Sequence, residues 1–400
     1  MKTMLTATLL FVMTAAVVVF YPAESAIKPI VPGTLHPPGN GVTNQRPKIE
    51  VVFVLDTTGS MGGLIAAAKD KIWSIATTMA AAQPAPEISM GLVAFRDRGD
   101  SYVTRVVDLS NDLDTVYGKL MDFVADGGGD GPESVNQALY DAVHKVSWSA
   151  DPTSYKVVFL VGDAPAHMDY QDDVKYPETI RQASQKGIVI NTIQAGQDGS
   201  TRTMWQQIAQ LADGRSMQVD QNGSAIALVT PYDKTMASLA KQLDDTRLYF
   251  GTREEKIAQT TRLEATEKLQ KLSSDAVKAR RATFNTSDSG AVSFLGEGEL
   301  VDVVTSGKKD LSSIDEDQLP VAMQAMVPAA RVAFIEGKAE ARQELQKRIK
   351  QVAAERNDYL KSKVGEMDAA EESLDHKLFD TIRAQAAKAG ITYEKEDARY

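Results

Sequence analysis

Three oxygen-bearing side chains follow an apolar run near the start of the sequence. Asp56, Thr58 and Ser60 stand at alternating positions directly after residues 51–55. Carboxylate and hydroxyl oxygens are hard ligands of the kind that Mg²⁺ and Mn²⁺ prefer. Because Gly59 allows the chain to bend as it leaves a strand, all three side chains can turn toward one point. The segment therefore predicts part of a divalent-metal site.

Two later segments carry carboxylates that could complete this site. Asp130 lies in the glycine-rich stretch 126–131, and Glu133 follows it. Residues 156–161 form another apolar run, and Asp163 comes just after its end. Ligands of open α/β sheets bind at the carboxyl ends of the strands, where such side chains meet. The predicted metal ligands are Asp56, Thr58, Ser60, Asp163 and one or both of Asp130 and Glu133.

The elements that must position these side chains alternate between strand and helix. Strands are predicted over 49–56, 87–95, 102–109, 156–162, 188–193 and 215–219. Helices are predicted over 64–79, 112–123, 133–146, 177–186, 201–212 and 231–246. This alternation indicates an α/β fold with a doubly wound, mostly parallel sheet and helices on both faces.

The motifs on these elements resemble a known family. Asp-x-Thr-x-Ser after the first strand, Gly-Gly-Gly-Asp-x-Pro-Glu in the second loop and Gly-Asp-Ala-Pro after a later strand are similar to the metal-ion-dependent adhesion site (MIDAS) of von Willebrand factor type A (vWA) domains. The resemblance covers residues 48–248. It is greatest to type A domains of bacterial secreted proteins and of von Willebrand-type alpha-kinases, although no kinase motif is present. It implies a Rossmann-like fold with one early antiparallel strand pair, and a protein partner whose acidic side chain completes the metal shell.

The second loop departs from the family pattern, which usually places a neutral Thr there. Here the candidates are the carboxylates of Asp130 and Glu133. Asp56 and Asp163 would already neutralise a divalent cation, so a third carboxylate makes the site net negative. We expect such a site to hold its metal more firmly and to attract an acidic partner less strongly.

The first 47 residues predict export. Lys2 precedes an apolar run over 4–21, and small residues and a Pro/Gly-rich stretch follow. This is the layout of a signal peptide, assigned to residues 1–25, with a linker over 26–47. The run of about 18 residues could instead remain as a membrane anchor, the one case in which membrane contact is expected. We predict a bacterial periplasmic or secreted protein.

The remaining region, residues 249–400, is predicted to be a mostly helical extension. Helical patterns cover 252–283 and 320–389, with a break near Gly365. A heptad-like seam runs through Leu345, Ile349, Val352, Arg356 and Tyr359. Because the seam is short and contains a charge, a hairpin packed on itself is favoured over a long coiled coil. Self-association through these helices stays open.

Two further features are given ordinary structural interpretations, one as a turn and one as a surface residue. Arg98-Gly99-Asp100 lies between two predicted strands, where Gly and Asp are typical of a turn. His167 lies four residues beyond Asp163. Mg²⁺ disfavours imidazole, so this residue is predicted to lie on the surface rather than at the metal.

These patterns favour a binding module over an enzyme. The net charge of −10 argues against nucleic-acid binding. No G-x-S-x-G, H-E-x-x-H or Walker A motif occurs, and Thr58 stands where a haloacid dehalogenase-type phosphotransferase needs an acid. We expect an exported, Mg²⁺- or Mn²⁺-dependent protein-binding module for adhesion or scaffolding, with no catalytic residues. The alternatives are a metal-dependent hydrolase or phosphotransferase using the same loops, and a structural envelope protein acting through its C-terminal helices.

Overall fold

The computed structural model describes residues 46–129, 131–221, 228–365 and 374–393, and those from Arg46 onward belong to one compact unit. The predicted signal peptide, nearly all of the predicted linker and Asp130 lie outside the described residues. Within the described ranges, no helix combines the length and apolar character needed to cross a membrane.

A six-stranded sheet forms the centre of the fold. Its strands are β1 (Lys48–Asp56), β2 (Glu87–Phe95), β3 (Thr104–Ser110), β4 (Tyr155–Gly162), β5 (Ile188–Ala195) and β6 (Ser216–Val219), in the order β3-β2-β1-β4-β5-β6. Every neighbouring pair is parallel except β2 and β3, which confirms the predicted mostly parallel sheet. The apolar runs of β1 and β4 occupy the centre because helices cover both faces there.

Six helices alternate with these strands along the chain or follow the last of them, as the pattern predicts; five pack on the sheet, and the sixth packs on helices of the C-terminal region. They are α1 (Gly62–Ala80), α2 (Leu113–Met121), α3 (Val135–His144), α4 (Tyr176–Gln185), α5 (Gly199–Leu211) and α6 (Asp233–Asp244). Side chains of α1 and α2 share a core with one face of the sheet, and side chains of α3, α4 and α5 share a core with the other. Both cores are apolar and closely packed, which fixes the strand ends that carry the candidate ligands.

The rest of the described chain is mainly helical. Its helices are α7 (Arg253–Leu272), α8 (Asp275–Asn285), α9 (Gly290–Leu295), α10 (Leu300–Thr305), α11 (Val321–Gln324), α12 (Pro328–Gly365) and α13 (Leu374–Ala386). The single helical stretch predicted over 252–283 is divided at Ser273 and Ser274. The hydroxyl of Ser274 accepts the backbone N–H of Val277 and caps α8, because Ser favours helix starts over helix interiors.

The heptad-like seam of α12 faces helices that occur earlier in the chain. Ile349 and Val352 share a buried cluster with Met236 of α6 and Ala279 of α8. Arg356, which interrupts the apolar spacing, forms an ion pair with Asp233 at the start of α6. The predicted self-packed hairpin is therefore wrong for this seam, and no coiled coil forms along it among the residues that the structure describes.

Candidate metal centre

Asp56 is the last residue of β1, and its carboxylate is held by the residue two positions later. Asp56 Oδ1 accepts the backbone N–H of Thr58 at 2.9 Å and the Thr58 hydroxyl at 2.7 Å. Because the hydroxyl proton points to Asp56, the lone pairs of Thr58 Oγ1 remain available to a cation. The second oxygen, Asp56 Oδ2, is buried and makes no hydrogen bond within the described chain.

The end of β4 leaves room beside this oxygen. β1 and β4 are adjacent and in register, so Gly162 lies next to Asp56. A Cβ atom on Gly162 would lie 3.0 Å from Asp56 Cβ and 3.1 Å from Asp56 Oδ2. A side chain at this position would therefore crowd the carboxylate that ends β1.

The glycine-rich loop brings Glu133 to the same place. The loop is tied to the segment after β1 because Gly59 N–H donates to Gly127 O at 3.1 Å. A Cβ on Gly128 would lie 3.3 Å from Thr58 Cβ and 3.5 Å from Glu133 Oε1, so Thr58 and Glu133 flank this glycine. Glu133 is only 4% exposed, and its Oε2 makes no hydrogen bond among the described residues.

The electrostatics of the two carboxylates indicate missing positive charge. Burial raises the pKa of Asp56 to about 7, against the hydrogen bonds from Thr58, and the charge of Asp163 adds to the rise. Burial also raises the pKa of Glu133 to about 9, with further contributions from the negative charges of Asp56 and Asp97. Buried carboxylates are usually paired or bound to a metal. Carboxylate and hydroxyl oxygens of this kind fit Mg²⁺ or Mn²⁺.

Asp163 and Ser60 lie at the same sheet edge but are held differently. The half-buried Asp163 accepts a hydrogen bond at Oδ2 from Gln221 Nε2, at 2.6 Å. Ser60 is exposed in the 3₁₀ turn Gly59–Met61, and its carbonyl lies 3.4 Å from the same Gln221 nitrogen. The described part of the chain contains no group of three or more acidic or histidine side chains arranged to hold a metal. The structure thus gathers Asp56, Thr58 and Glu133, while the Asp163 carboxylate is engaged by Gln221.

Sequence reasoning predicted the turn after β2 but missed the contacts of this segment with the candidate site. Arg98-Gly99-Asp100 forms the predicted turn, and Asp100 Oδ2 accepts Gly128 N–H at 3.0 Å. Arg96 is buried and donates from Nε to Thr57 O at 3.1 Å. The position of Arg96 in the sequence could have identified it, because it directly follows an apolar strand, as the residues after β1 do.

The predicted surface position of His167 is wrong. Its side chain is 4% exposed, and its Nδ1 lies 2.8 Å from Asp169 Oδ1. Its Nε2 lies 3.4 Å from Asp97 Oδ2, and its ring stacks on Tyr170 with centroids 4.0 Å apart. The loop after β4 folds back over the segment after β2 and buries the imidazole, which the local sequence does not reveal.

One family model and several solved structures are similar to part of this chain. The family model of the von Willebrand factor A domain matches residues 50–222. One similar solved structure is a von Willebrand factor type A protein from Catenulispora acidiphila, with 18% sequence identity over 44% of this chain and 39% of that chain and a TM-score of 0.34. Another is the SpRpn10 VWA domain, with 13% identity over 44% of this chain and 89% of that chain and a TM-score of 0.34. A third is proximal thread matrix protein 1 from the mussel byssus, with a zinc-occupied MIDAS motif. It has 18% identity over 44% of this chain and 43% of that chain, and a TM-score of 0.35. The match spans less than half of the first and third of these proteins. A comparison with curated proteins returns no match.

Proposed function

We propose, from the premise that residues 50–222 are a von Willebrand factor A domain, that this protein is a divalent-metal-dependent protein-binding module. Domains of this type are generally interaction modules rather than enzymes. In this chain the interaction would depend on Mg²⁺ or Mn²⁺ held at the carboxyl edge of the sheet.

The observation that carries the proposal is a pair of buried carboxylate oxygens without hydrogen-bond donors. Asp56 Oδ2 lies at the end of β1 and Glu133 Oε2 follows the glycine-rich loop, and backbone hydrogen bonds hold the two segments together at one edge of the sheet. A cation would supply the positive charge that both lack. Asp56, Glu133 and the Thr58 hydroxyl would hold it, and Asp163 and Ser60 would complete the shell directly or through water.

The exposed surface around these residues gives a partner access to the cation. Gly127, Gly128 and Gly129 are exposed beside the buried carboxylates, and Ser60 is exposed on the neighbouring loop. An acidic side chain of a protein partner could therefore occupy one coordination position. The net negative donor set would moderate this attraction, so we expect contacts around the metal to contribute much of the affinity.

The direct test is a Mg²⁺ and Mn²⁺ titration of the wild type, Asp56→Ala and Asp151→Ala. Asp151 is a matched control, because its Oδ1 accepts the backbone N–H and hydroxyl of Thr153 at 2.8 and 2.7 Å in the same Asp-x-Thr turn. Asp151 lies just before β4, at the amino-terminal ends of the parallel central strands, whereas the candidate site lies at their carboxyl ends. We expect only Asp56→Ala to lose cation binding, with helix and sheet content unchanged by circular dichroism. Wild-type binding by Asp56→Ala would refute the site.

Partner binding is tested by capture from an envelope extract in Mg²⁺ and in EDTA, with Asp56→Ala alongside. A partner retained only by the wild type in Mg²⁺ supports the proposal. Equal capture in all conditions would assign binding to the C-terminal helices instead. A phosphomonoester screen accompanies the experiment, since a metal-dependent turnover rate would favour an enzyme using the same loops.

We further propose that the protein is exported. The support is the pattern of Lys2, the apolar run 4–21 and the small residues before position 26. Expression of the full chain in a bacterium, followed by fractionation and N-terminal sequencing, tests this. A periplasmic or secreted chain that begins at Ala26 is expected, whereas an intact cytoplasmic chain would contradict export.

A further inference from the structure

A cavity of about 530 Å³ lies between α1, α8 and α12, away from the candidate metal centre. Its polar lining includes Ser74 and Thr77 of α1, Arg280 and Thr283 of α8, and Lys350 and Arg356 of α12. Helix α1 begins at Gly62, near the sheet edge that carries the candidate metal centre. Ser74 lies about 18 Å further along the helix axis, at a rise of about 1.5 Å per residue. The two sites share no residue.

Arg356 lines this cavity, and its guanidinium makes fewer hydrogen bonds than it has donors. The residue is only 5% exposed, and its one hydrogen bond within the described chain runs from Nε to Asp233 Oδ1, at 2.7 Å. A guanidinium has five N–H donors, and the terminal Nη2 of Arg356 is buried without a hydrogen-bond partner in the described chain. Burial lowers the pKa of Arg356 in spite of Asp233, and the positive charge of Arg280 contributes to the decrease. The buried charge is therefore incompletely compensated.

Arg280 and Ser74 add further unused donors. Arg280 is 4% exposed and donates only from Nη1, to the carboxylate and carbonyl of Asp70 at 3.0 and 3.2 Å. Its Nε and the Ser74 hydroxyl are buried without a hydrogen-bond partner in the described part of the chain. Both residues line the same cavity as Arg356. Several donors from three helices thus lack acceptors at one place.

Two other buried arginines of this protein are fully paired. Arg281 donates from all three of its nitrogens to Asp114 and Asp244. Arg342 likewise uses all three nitrogens, with Glu299 and Thr246 as acceptors. Arg247, which does not line the cavity, leaves its buried Nε without a partner in the described part of the chain. What distinguishes the cavity is that unpaired donors of three residues, Ser74, Arg280 and Arg356, line one space.

We propose that this cavity binds the phosphate group of a small molecule. Arg356 and Arg280 donate to the phosphate oxygens, Ser74 adds a hydroxyl donor, and the exposed Lys350 lies at the mouth. A phosphate presents three strong acceptor oxygens and up to two negative charges, which suits this number of donors better than a carboxylate does. The remaining volume accommodates the rest of the molecule.

The test uses inorganic phosphate as the probe, with the full chain in EDTA at constant ionic strength. We expect a saturable rise in melting temperature and a calorimetric binding isotherm for the wild type. Arg356→Lys keeps the charge but removes the terminal fork, and should weaken phosphate binding at least about tenfold. Ser74→Ala, which removes only an unpaired hydroxyl, provides a second variant that preserves the Arg356–Asp233 pair.

A matched pair on α12 separates the cavity from general surface charge. Lys350→Gln and Arg348→Gln remove the same charge from the same helix, but only Lys350 lines the cavity. We expect Lys350→Gln to weaken phosphate binding several-fold and Arg348→Gln to leave it unchanged. The proposal is overturned if the wild type shows no saturable response, if acetate stabilises it equally, or if Ser74→Ala and Lys350→Gln both bind phosphate like the wild type.

Discussion

Arg281 and Asp114 form a buried pair that joins two regions of the chain. Arg281 Nε lies 2.6 Å from Asp114 Oδ1, and Arg281 Nη2 lies 2.5 Å from Asp114 Oδ2. Asp114 is on α2, beside the sheet, and Arg281 is on α8 of the C-terminal helical region. Asp244 of α6 accepts from the same guanidinium. Loss of one partner would therefore leave a buried charge between the sheet region and the C-terminal helices.

Arg281→Ala should destabilise the whole chain strongly. It leaves the carboxylates of Asp114 and Asp244 buried without their cation, and breaking such a pair typically costs about 3 to 5 kcal/mol. The matched control is Arg181→Ala, which removes a two-bond pair with Glu178 on the exposed surface of α4. Denaturant unfolding should show a large loss for Arg281→Ala and little change for Arg181→Ala. Equal effects would contradict a structural role for the buried pair.

Acid should weaken the same junction. Burial alone would raise the pKa of Asp114, but the charge and hydrogen bonds of Arg281 overcome this and lower the pKa to about 2. A depressed folded-state pKa gives stability that is present above the unfolded value, near 3.8, and is lost as the pH falls toward 2. The free energy of unfolding should decrease over this window, and the decrease should be smaller for Asp114→Asn. An identical pH dependence in both proteins would rule out this contribution.

Gly128→Ala should weaken cation binding through contact with the site. Gly128 has φ +80°, and a Cβ there would lie 3.3 Å from Thr58 Cβ. Gly187→Ala is the control, because Gly187 has φ +70° with no atom within 4 Å of its added Cβ. Both substitutions should cost about 1 kcal/mol of stability from backbone strain. Only Gly128→Ala should reduce Mg²⁺ affinity by calorimetry; an equal reduction in both variants would indicate a general effect of strain.

The hydrogen bond between Gln221 and Asp163 predicts unequal roles for the two strand-end aspartates. Asp56→Asn removes charge from a carboxylate with a free buried oxygen, and should lower Mg²⁺ affinity more than tenfold. Asp163→Asn retains an oxygen for Gln221 and should have the smaller effect. Calorimetric titration of both variants checks the order. A complete loss of binding in Asp163→Asn would instead make Asp163 a direct ligand.

Several features of this protein were determined by local sequence. The apolar runs of β1 and β4 predicted central parallel strands, since a side chain buried on both faces of a sheet must be apolar. The turn at Arg98-Gly99-Asp100 followed from residue types alone. The contact between Asp56 and Thr58 spans two positions, so it was also available from the sequence, as the first part of the candidate site.

Other features were decided only by tertiary structure. Glu133 reaches Thr58 because two separate loops are tied together by backbone hydrogen bonds, and His167 is buried because its loop folds over another. Arg356 interrupts an apolar seam, and its partner Asp233 is 123 positions away. The periodicity of apolar residues indicates which face of a helix or strand is buried, but not which distant element packs against that face. That choice depends on how helices and loops fit together once the cores form, which no local segment encodes by itself.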